Sequence, residues 1–338
     1  MIAVARPSAG RSPGSKGEAI RRDELKKLIV GPIATVPTPF DDDYAVDYRK
    51  MGDLTQWWVD SGLVKGRAVI KVAAAMGEGP QLRDDEWPAL LRTVVQAAED
   101  RAAVVCGLHY KDTLRTVEDA KRAQDLGAIA LQISPPVFNG PTQDDIVRHY
   151  GDISDAIDIG ILVYVTRGMP GGSIYPETFR KMTDFEQVVT IKWNVPQGAA
   201  YENIFELAHV FNIIDNNGQP VLCHKLGGRG YINHTVESYP PHDLRIWDLL
   251  ESHQYDEAQA IYDSVELPWR EFSGKVRQRT GGQAVVKKGM MAIMGRPVGA
   301  SRPPSLPLND DEMAELREMM AGWGWPVAAK AQPASVPA

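Results

Sequence analysis

The stretch IGILVYVTRGMPGGSIYPETFRKMTDFEQVVTIKWN, residues 159–194, decides the fold predicted for this chain. Its two ends, Ile159–Tyr164 and Val188–Lys192, are apolar and rich in β-branched residues, as buried strands are. The segment Pro176–Met182 between them has apolar and polar residues at helical spacing. The stretch therefore predicts a strand, a short helix and a second strand parallel to the first.

Each predicted strand ends on a reactive polar side chain, Tyr164 or Lys192. Neighbouring parallel strands end at one edge, and in a barrel that edge carries the catalytic groups. A buried lysine is costly unless it is paired, hydrated or neutral, and a neutral amine attacks carbonyl carbons. Tyr164 could then transfer the protons that imine chemistry requires. Alternatively, Lys192 pairs with a carboxylate and Tyr164 packs in the core, and the residues alone leave both interpretations open.

The composition indicates a globular protein without a nucleic-acid or membrane partner. The chain has 338 residues, enough for one large α/β barrel or two ordinary domains, and its net charge of −7 disfavours nucleic acid. No apolar run approaches the ~20 residues of a membrane helix. Cys106 and Cys223 form no Cys-x-x-Cys motif, so we expect neither a disulfide framework nor a zinc site. These features predict a cytoplasmic protein.

The patterns divide the chain into four parts. Residues 1–24 are rich in Ser, Gly, Pro and Arg and are predicted to be a disordered tail. Strand and helix patterns alternate through residues 29–240, and residues 241–323 are mainly helical. The Ala- and Pro-rich residues 326–338 are again predicted to be disordered.

These features resemble the dihydrodipicolinate synthase and N-acetylneuraminate lyase family over about residues 29–323. In that family a strand ending in tyrosine and a strand ending in lysine lie 28 residues apart, as Tyr164 and Lys192 do (192 − 164 = 28). The remaining matches are a helix start at Tyr175–Phe179, the Gly77-Glu78 loop, the glycine-rich turn within Val221–Asn233, and Arg302-Pro-Pro304.

The resemblance implies an α/β fold, a (β/α)8 TIM barrel with a C-terminal three-helix extension. Val221–Asn233 would then contain the seventh and eighth strands. The resemblance also implies that Lys192 forms a Schiff base with a 2-oxo acid and that Tyr164 is the catalytic tyrosine. No metal or organic cofactor is implied. Relatives are often homotetramers built from dimers, so we expect a homo-oligomer.

The loop after the second strand departs from the family's Gly-Thr-Thr-Gly-Glu motif, which holds the substrate carboxylate. Gly77 and Glu78 match, but Ala75 and Met76 stand at the threonine positions. Backbone amides at such a turn could still bind an anion. Lys71, in the preceding strand, is a candidate replacement charge if it points inward, and a lysine that extends its ammonium to solvent is the alternative.

Three further positions differ from the family. Phe138 replaces a tyrosine of the Pro-Tyr-Tyr-Asn-Pro loop, and Arg167 is the candidate substitute for an arginine whose usual position holds Met169. Trp193 follows the lysine, as an aromatic residue does in the hydratase-aldolase branch, and either lines the pocket or packs outside the barrel. The candidate substrate-binding residues are Ala75, Met76, Gly77, Glu78, His109, Tyr110, Phe138, Arg167, Trp193, Gly230 and Ile232.

The predicted function is that of a class I lyase acting on a pyruvate-type 2-oxo acid. The apolar replacements favour an aldolase or hydratase-aldolase with a bulky or aromatic partner, and disfavour dihydrodipicolinate synthase itself. A sugar-acid dehydratase is the near alternative. Two further hypotheses are a barrel that binds a ligand without turnover, and a barrel in which Lys192 is a non-covalent base or cation.

Overall fold

The computed structural model describes residues 21–109, 111–165 and 171–328. Within them, eight parallel strands close into a barrel in chain order, with the last strand paired to the first. The predicted (β/α)8 barrel is thereby confirmed. The strands are β1 (Gly31–Thr35), β2 (Val69–Val72), β3 (Ala103–Leu108), β4 (Ala130–Ile133), β5 (Gly160–Tyr164), β6 (Val188–Trp193), β7 (Asn212–Asp215) and β8 (Gly230–Ile232).

Helices surround the barrel and extend it at the C-terminal end. None of the helices in the described residues has the combined length and apolarity needed to cross a membrane. The helices are α1 (Arg22–Leu28), α2 (Tyr48–Asp60), α3 (Glu86–Ala98), α4 (Thr113–Asp125), α5 (Gln143–Ser154), α6 (Pro176–Arg180), α7 (Pro220–Lys225), α8 (Pro240–Glu251), α9 (Tyr255–Arg279), α10 (Val285–Ile293) and α11 (Asp310–Gly322).

The strands separate two apolar layers. Ile33, Val69 and Leu162 belong to the cluster inside the barrel, whereas Ile70 and Val163 belong to the cluster between the strands and the helices. Because consecutive residues of a strand point to opposite faces, each strand contributes to both layers. This explains why the strands are continuous apolar runs in the sequence.

Two glycines allow the barrel to close. Gly31 has a φ of +78°, and a Cβ atom on Gly230 would lie 2.3 Å from the carbonyl oxygen of Gly31. No larger residue fits at Gly230 without moving the backbone of β1. The seam between β1 and β8 therefore depends on this close approach.

The prediction that Val221–Asn233 contains the last two strands is correct only for β8. β7 lies earlier, and Pro220–Lys225 forms α7. Pro220 occupies the first turn of that helix, where its fixed φ is favourable. The Asp215 carboxylate accepts a hydrogen bond from the Gln219 backbone N–H at 2.8 Å, which fixes the turn before the helix.

Two helices lie at predicted boundaries. Helix α1 begins at Arg22, inside the predicted tail 1–24, and the Arg22 guanidinium donates to the Thr183 carbonyl at 2.9 Å, which attaches the helix to the loop before β6. Helix α8, at the start of the predicted extension 241–323, packs against both β1 and α9. Of the predicted tails 1–24 and 326–338, residues 1–20 and 329–338 lie outside the described residues.

Candidate active site

A cavity of about 370 Å³ opens at the carboxyl edge of the barrel. The inward-facing ends of five strands contribute Thr35, Lys71, Gln132, Tyr164 and Lys192 to its wall. The remaining lining residues come from loops and from the C-terminal helical region: Ala74, Ala75, Met76, Asn194, Asn216, His234, Arg277 and Gln283.

Tyr164 and Lys192 lie side by side, as the strand ends predict. They are register partners on β5 and β6, and the Lys192 Nζ atom is 4.2 Å from the centroid of the Tyr164 ring. Both side chains are buried. The strand register fixes this contact, so it does not depend on a loop.

Lys192 has the electrostatics of a nucleophilic amine. Burial, followed by the positive charge of Lys287, lowers the pKa of Lys192 to about 7. Among the described residues, no carboxylate forms an ion pair with Lys192. These residues therefore do not support the alternative that Lys192 forms a structural salt bridge. A large fraction of the amine is therefore neutral near pH 7.

His109 contacts Tyr164 from the side of β3. Its ring meets the Tyr164 ring edge-on, with 5.5 Å between the centroids. Burial, then the charges of Lys192 and Lys71, lowers the pKa of His109 to about 3, so the imidazole is neutral. Gln132 accepts a hydrogen bond from Lys71 through Oε1, which leaves its amide nitrogen, 3.4 Å from His109 Nε2, as the donor to the ring.

The loop after β2 provides small and apolar groups to the cavity. Ala75 and Met76 line the cavity wall, and Met76 also belongs to the inner-barrel cluster. Gly77 lies against β1, where a Cβ atom would be 2.5 Å from the Val36 carbonyl oxygen. The Thr38 hydroxyl donates to the Gly77 carbonyl at 2.7 Å, which holds the loop in place.

Glu78 does not line the cavity, and its assignment as a substrate-binding residue stays a prediction. Its backbone has a φ of +63°, and its carboxylate lies 2.9 Å from the Lys288 ammonium of α10. Both side chains are buried, and Lys288 also donates to the Ala300 carbonyl at 3.1 Å. Glu78 therefore connects the loop after β2 to the C-terminal helices.

Trp193 packs outside the barrel, which favours the second of its two predicted positions. Lys192 faces inward, and the next residue of a strand points to the opposite face. The indole is fully buried, donates to the Tyr201 carbonyl at 3.0 Å and meets Phe179 edge-on. Trp193 therefore does not line this cavity, and its assignment as a substrate-binding residue stays a prediction.

Phe138, Gly230 and Ile232 also lie away from the cavity lining. Phe138 is 80% exposed and borders a different cavity, beside Trp87 and Leu108. Gly230 closes the barrel seam, and Ile232 belongs to the inner-barrel cluster. Tyr110 and Arg167 lie outside the described residues, so their assignments stay predictions.

The cavity lining also contains polar residues that were not among the predicted site residues. Thr35 and Gln132 face inward at the ends of β1 and β4, and Asn194, Asn216 and Arg277 border the cavity from beyond the strands. Strand alternation would have identified Thr35 and Gln132 if the strand ends had been known to one residue. The sequence carries no comparable signal for Arg277, because α9 follows the whole barrel.

No group of three or more His, Cys, Asp or Glu side chains in the described residues is arranged to hold a metal ion.

Lys71 points inward, which is one of the two orientations predicted for it, and its side chain is fully buried. The cavity therefore combines two buried lysines, a tyrosine and a set of neutral amides.

The sequence matches the model of the Dihydrodipicolinate synthetase family over residues 29–322. It is 28% identical over 296 residues to the 4-hydroxy-tetrahydrodipicolinate synthase of Heliobacterium modesticaldum, covering 86% of this chain and 95% of that protein. It is 29% identical over 297 residues to the enzyme of the same name from Acidothermus cellulolyticus, covering 87% and 92%.

Solved structures share the fold. The dihydrodipicolinate synthase of Aquifex aeolicus superposes with a TM-score of 0.79 at 22% identity, over 89% of this chain and all of that chain. The Acinetobacter baumannii enzyme, solved in complex with pyruvate, superposes with a TM-score of 0.78 at 21% identity, over 88% and 99%. Another similar structure, with a TM-score of 0.78 at 22% identity over 88% and 98%, is a monomeric dihydrodipicolinate synthase variant.

The ion pair between Glu78 and Lys288 allows a test of how the loop is held. Glu78→Gln leaves the Lys288 ammonium buried without its carboxylate, so we expect a loss of about 3 kcal/mol in the free energy of unfolding. Glu315→Gln, which breaks the exposed pair with Lys275, is the control and should cost less than about 1 kcal/mol. Urea unfolding measures both.

A double variant, Glu78→Gln with Lys288→Met, should recover part of that loss, because it removes both buried charges. An effect of Glu78→Gln no larger than that of Glu315→Gln would contradict the buried ion pair.

Proposed function

We propose a reaction from the premise that this chain belongs to the dihydrodipicolinate synthetase family: Lys192 forms an imine with the carbonyl carbon of a 2-oxo acid, and Tyr164 transfers the protons. Members of the family are lyases that use a covalent lysine–substrate imine and no metal or external cofactor. The observation that carries the proposal is the buried amine of Lys192, with its lowered pKa, against the Tyr164 ring.

The first step is attack of the neutral Lys192 amine on C2 of the oxo acid, which gives a carbinolamine. The Tyr164 hydroxyl donates a proton to the carbinolamine oxygen, water leaves, and a protonated imine remains. The positive nitrogen then acts as an electron sink. Loss of the C4 hydroxyl proton lets the C3–C4 bond break and releases an aldehyde, or loss of a C3 proton lets the C4 oxygen leave as water. In the first route the enamine that remains takes a proton at C3, and in the second an unsaturated imine remains. Hydrolysis of the imine then returns the amine and the 2-oxo acid product.

The lining of the cavity supports a polar substrate. Its side chains include Gln132, Asn194, Asn216, Gln283 and Arg277, which can donate hydrogen bonds to hydroxyl or carboxylate oxygens. The bulky or aromatic partner expected from the sequence was based on the apolar replacements; of these, Ala75 and Met76 line this cavity, whereas Phe138 and Trp193 do not. We therefore favour a hydroxylated 2-oxo acid, with aldol cleavage or dehydration as the reaction.

The named relatives are 4-hydroxy-tetrahydrodipicolinate synthases, and we propose a different reaction for this chain. The support is the replacement of hydroxyl-bearing family positions by Ala75 and Met76, both at the cavity wall. Efficient turnover in a 4-hydroxy-tetrahydrodipicolinate synthase assay would overturn this part of the proposal.

Borohydride trapping tests the imine. The protein is incubated with pyruvate or with hydroxylated 2-oxo acids, reduced and digested, and the modified lysine is identified by mass spectrometry. We expect the adduct on Lys192, and its loss in Lys192→Ala. Lys121→Ala removes an exposed lysine of α4 and should leave the adduct unchanged. A folded wild-type protein that yields no adduct would favour a non-covalent or purely binding role.

Replacing Tyr164 tests the proton transfer. Tyr164→Phe keeps the ring against Lys192 but removes the hydroxyl, so we expect imine formation to slow by about 100-fold or more while equilibrium binding is retained. The rate of adduct formation in quenched single-turnover trapping measures this. Tyr175→Phe alters a partly exposed tyrosine outside the cavity and is the control. Equal rates in the two variants would contradict the role of Tyr164.

The pH dependence of trapping tests the state of the amine. Only the deprotonated amine attacks, so the initial rate should rise with pH and level off above the lowered pKa of Lys192, about 7. Non-specific modification of exposed lysines in the same samples should still be rising towards their ordinary pKa near 10.4. A midpoint for Lys192 near that ordinary value would contradict a desolvated amine.

A further inference from the structure

Lys71 is a second lysine inside the barrel, and the imine mechanism does not use it. It lies on β2, in register with Thr35 of β1 and Val105 of β3, and its side chain is fully buried. β2 and β6 are four strands apart in a barrel of eight, so Lys71 and Lys192 enter the cavity from opposite walls. The two amino groups therefore face the same cavity.

The partners of Lys71 are neutral. Its Nζ atom donates a hydrogen bond of 2.7 Å to the Gln132 amide oxygen, which satisfies one of the three donors of an ammonium group. The charged residues that line the cavity are Lys71, Lys192 and Arg277, and no acidic side chain lines it in the described residues. Burial, followed by the charges of Lys192 and Lys287, lowers the pKa of Lys71 well below its ordinary value, so an anion bound beside it would stabilise its charged form.

Thr35 supplies an independent observation at the same place. Its side chain is fully buried, it lines the cavity, and its Oγ1 atom has no hydrogen-bond partner among the described residues. Thr35 and Lys71 are register partners on adjacent strands. The Thr35 hydroxyl and the Lys71 amino group thus face the cavity next to each other, and buried polar groups of this kind are normally satisfied.

We propose that Lys71 and Thr35 form the site that binds the carboxylate of the oxo acid, opposite the Lys192 nucleophile. This inference rests on the proposed function. A 2-oxo acid carries its carboxylate one bond from the carbonyl carbon, so an anion held by Lys71 brings that carbon toward the amine of Lys192. Binding also gives the Lys71 ammonium the counter-ion that its surroundings lack.

The test uses oxamate, an anionic analogue of pyruvate whose amide carbonyl does not form imines, and methyl oxamate, which is neutral. NMR titration gives their affinities for the wild-type protein and for Lys71→Met, which keeps the length of the side chain. We expect Lys71→Met to weaken oxamate binding on the order of 10- to 100-fold and to change methyl oxamate binding less than about threefold. Lys121→Met is the control for the lost charge.

A second variant tests the site without removing Lys71. Gln132→Glu places a carboxylate beside the Lys71 ammonium, so it should compete with oxamate and weaken its binding, and it decides the question if Lys71→Met does not fold. Oxamate binding that is unchanged in the folded variants, or wild-type protein that does not prefer oxamate to methyl oxamate, would overturn the inference. A Lys71→Met protein that differs only in the pH profile of trapping would also overturn it.

Pyruvate trapping separates this result from the proposed function. An adduct on Lys192 with unaltered oxamate binding in both variants refutes the Lys71 site and keeps the lyase mechanism. Loss of oxamate binding in the variants, with no adduct in the wild-type protein, keeps an anion site at Lys71 and refutes the imine.

Discussion

The structure depends on the closure of eight short strands around a narrow interior. Closure pairs every strand on both edges and requires the backbones at Gly31 and Gly230 to approach closely. Apolar side chains fill the inner barrel below the carboxyl edge, so polar groups gather at that edge, where the cavity opens. Tyr164 and Lys192 therefore owe their contact to strand register, which is more rigid than a loop would be.

The C-terminal helices take part in the electrostatics of this edge. Lys287 of α10 forms a fully buried ion pair with Glu237, and its charge contributes to the lowered pKa of Lys192. The adjacent Lys288 binds Glu78, in the loop that forms one wall of the cavity. Helix α9 adds Arg277 to the cavity lining. The C-terminal helices thus shape the candidate site, because the charge of Lys287 lowers the pKa of Lys192 and Lys288 holds the loop after β2.

The sequence predicted the barrel and the Tyr164–Lys192 contact, because both follow from strand ends and a spacing that is local in the chain. The motif match at Glu78 did not indicate that its side chain turns toward α10, whereas strand alternation alone would have placed Trp193 outside the barrel. Arg277 required knowledge of how α9 returns to the barrel. Contacts between distant segments are set by tertiary packing, which local sequence patterns do not record.

The charges of the cavity give a physical reason to expect an acid as substrate. Before binding, burial and the charge of Lys287 hold a large fraction of Lys192 neutral near pH 7, and in the proposed reaction the neutral amine attacks. Imine formation then places a positive charge on the same nitrogen, in a cavity whose charged lining residues are all cationic. A neutral aldehyde or ketone would leave that charge without compensation, whereas an oxo acid brings a carboxylate with the carbonyl group. In the proposed reaction, the surroundings that lower the pKa of Lys192 therefore also select the charge of the substrate.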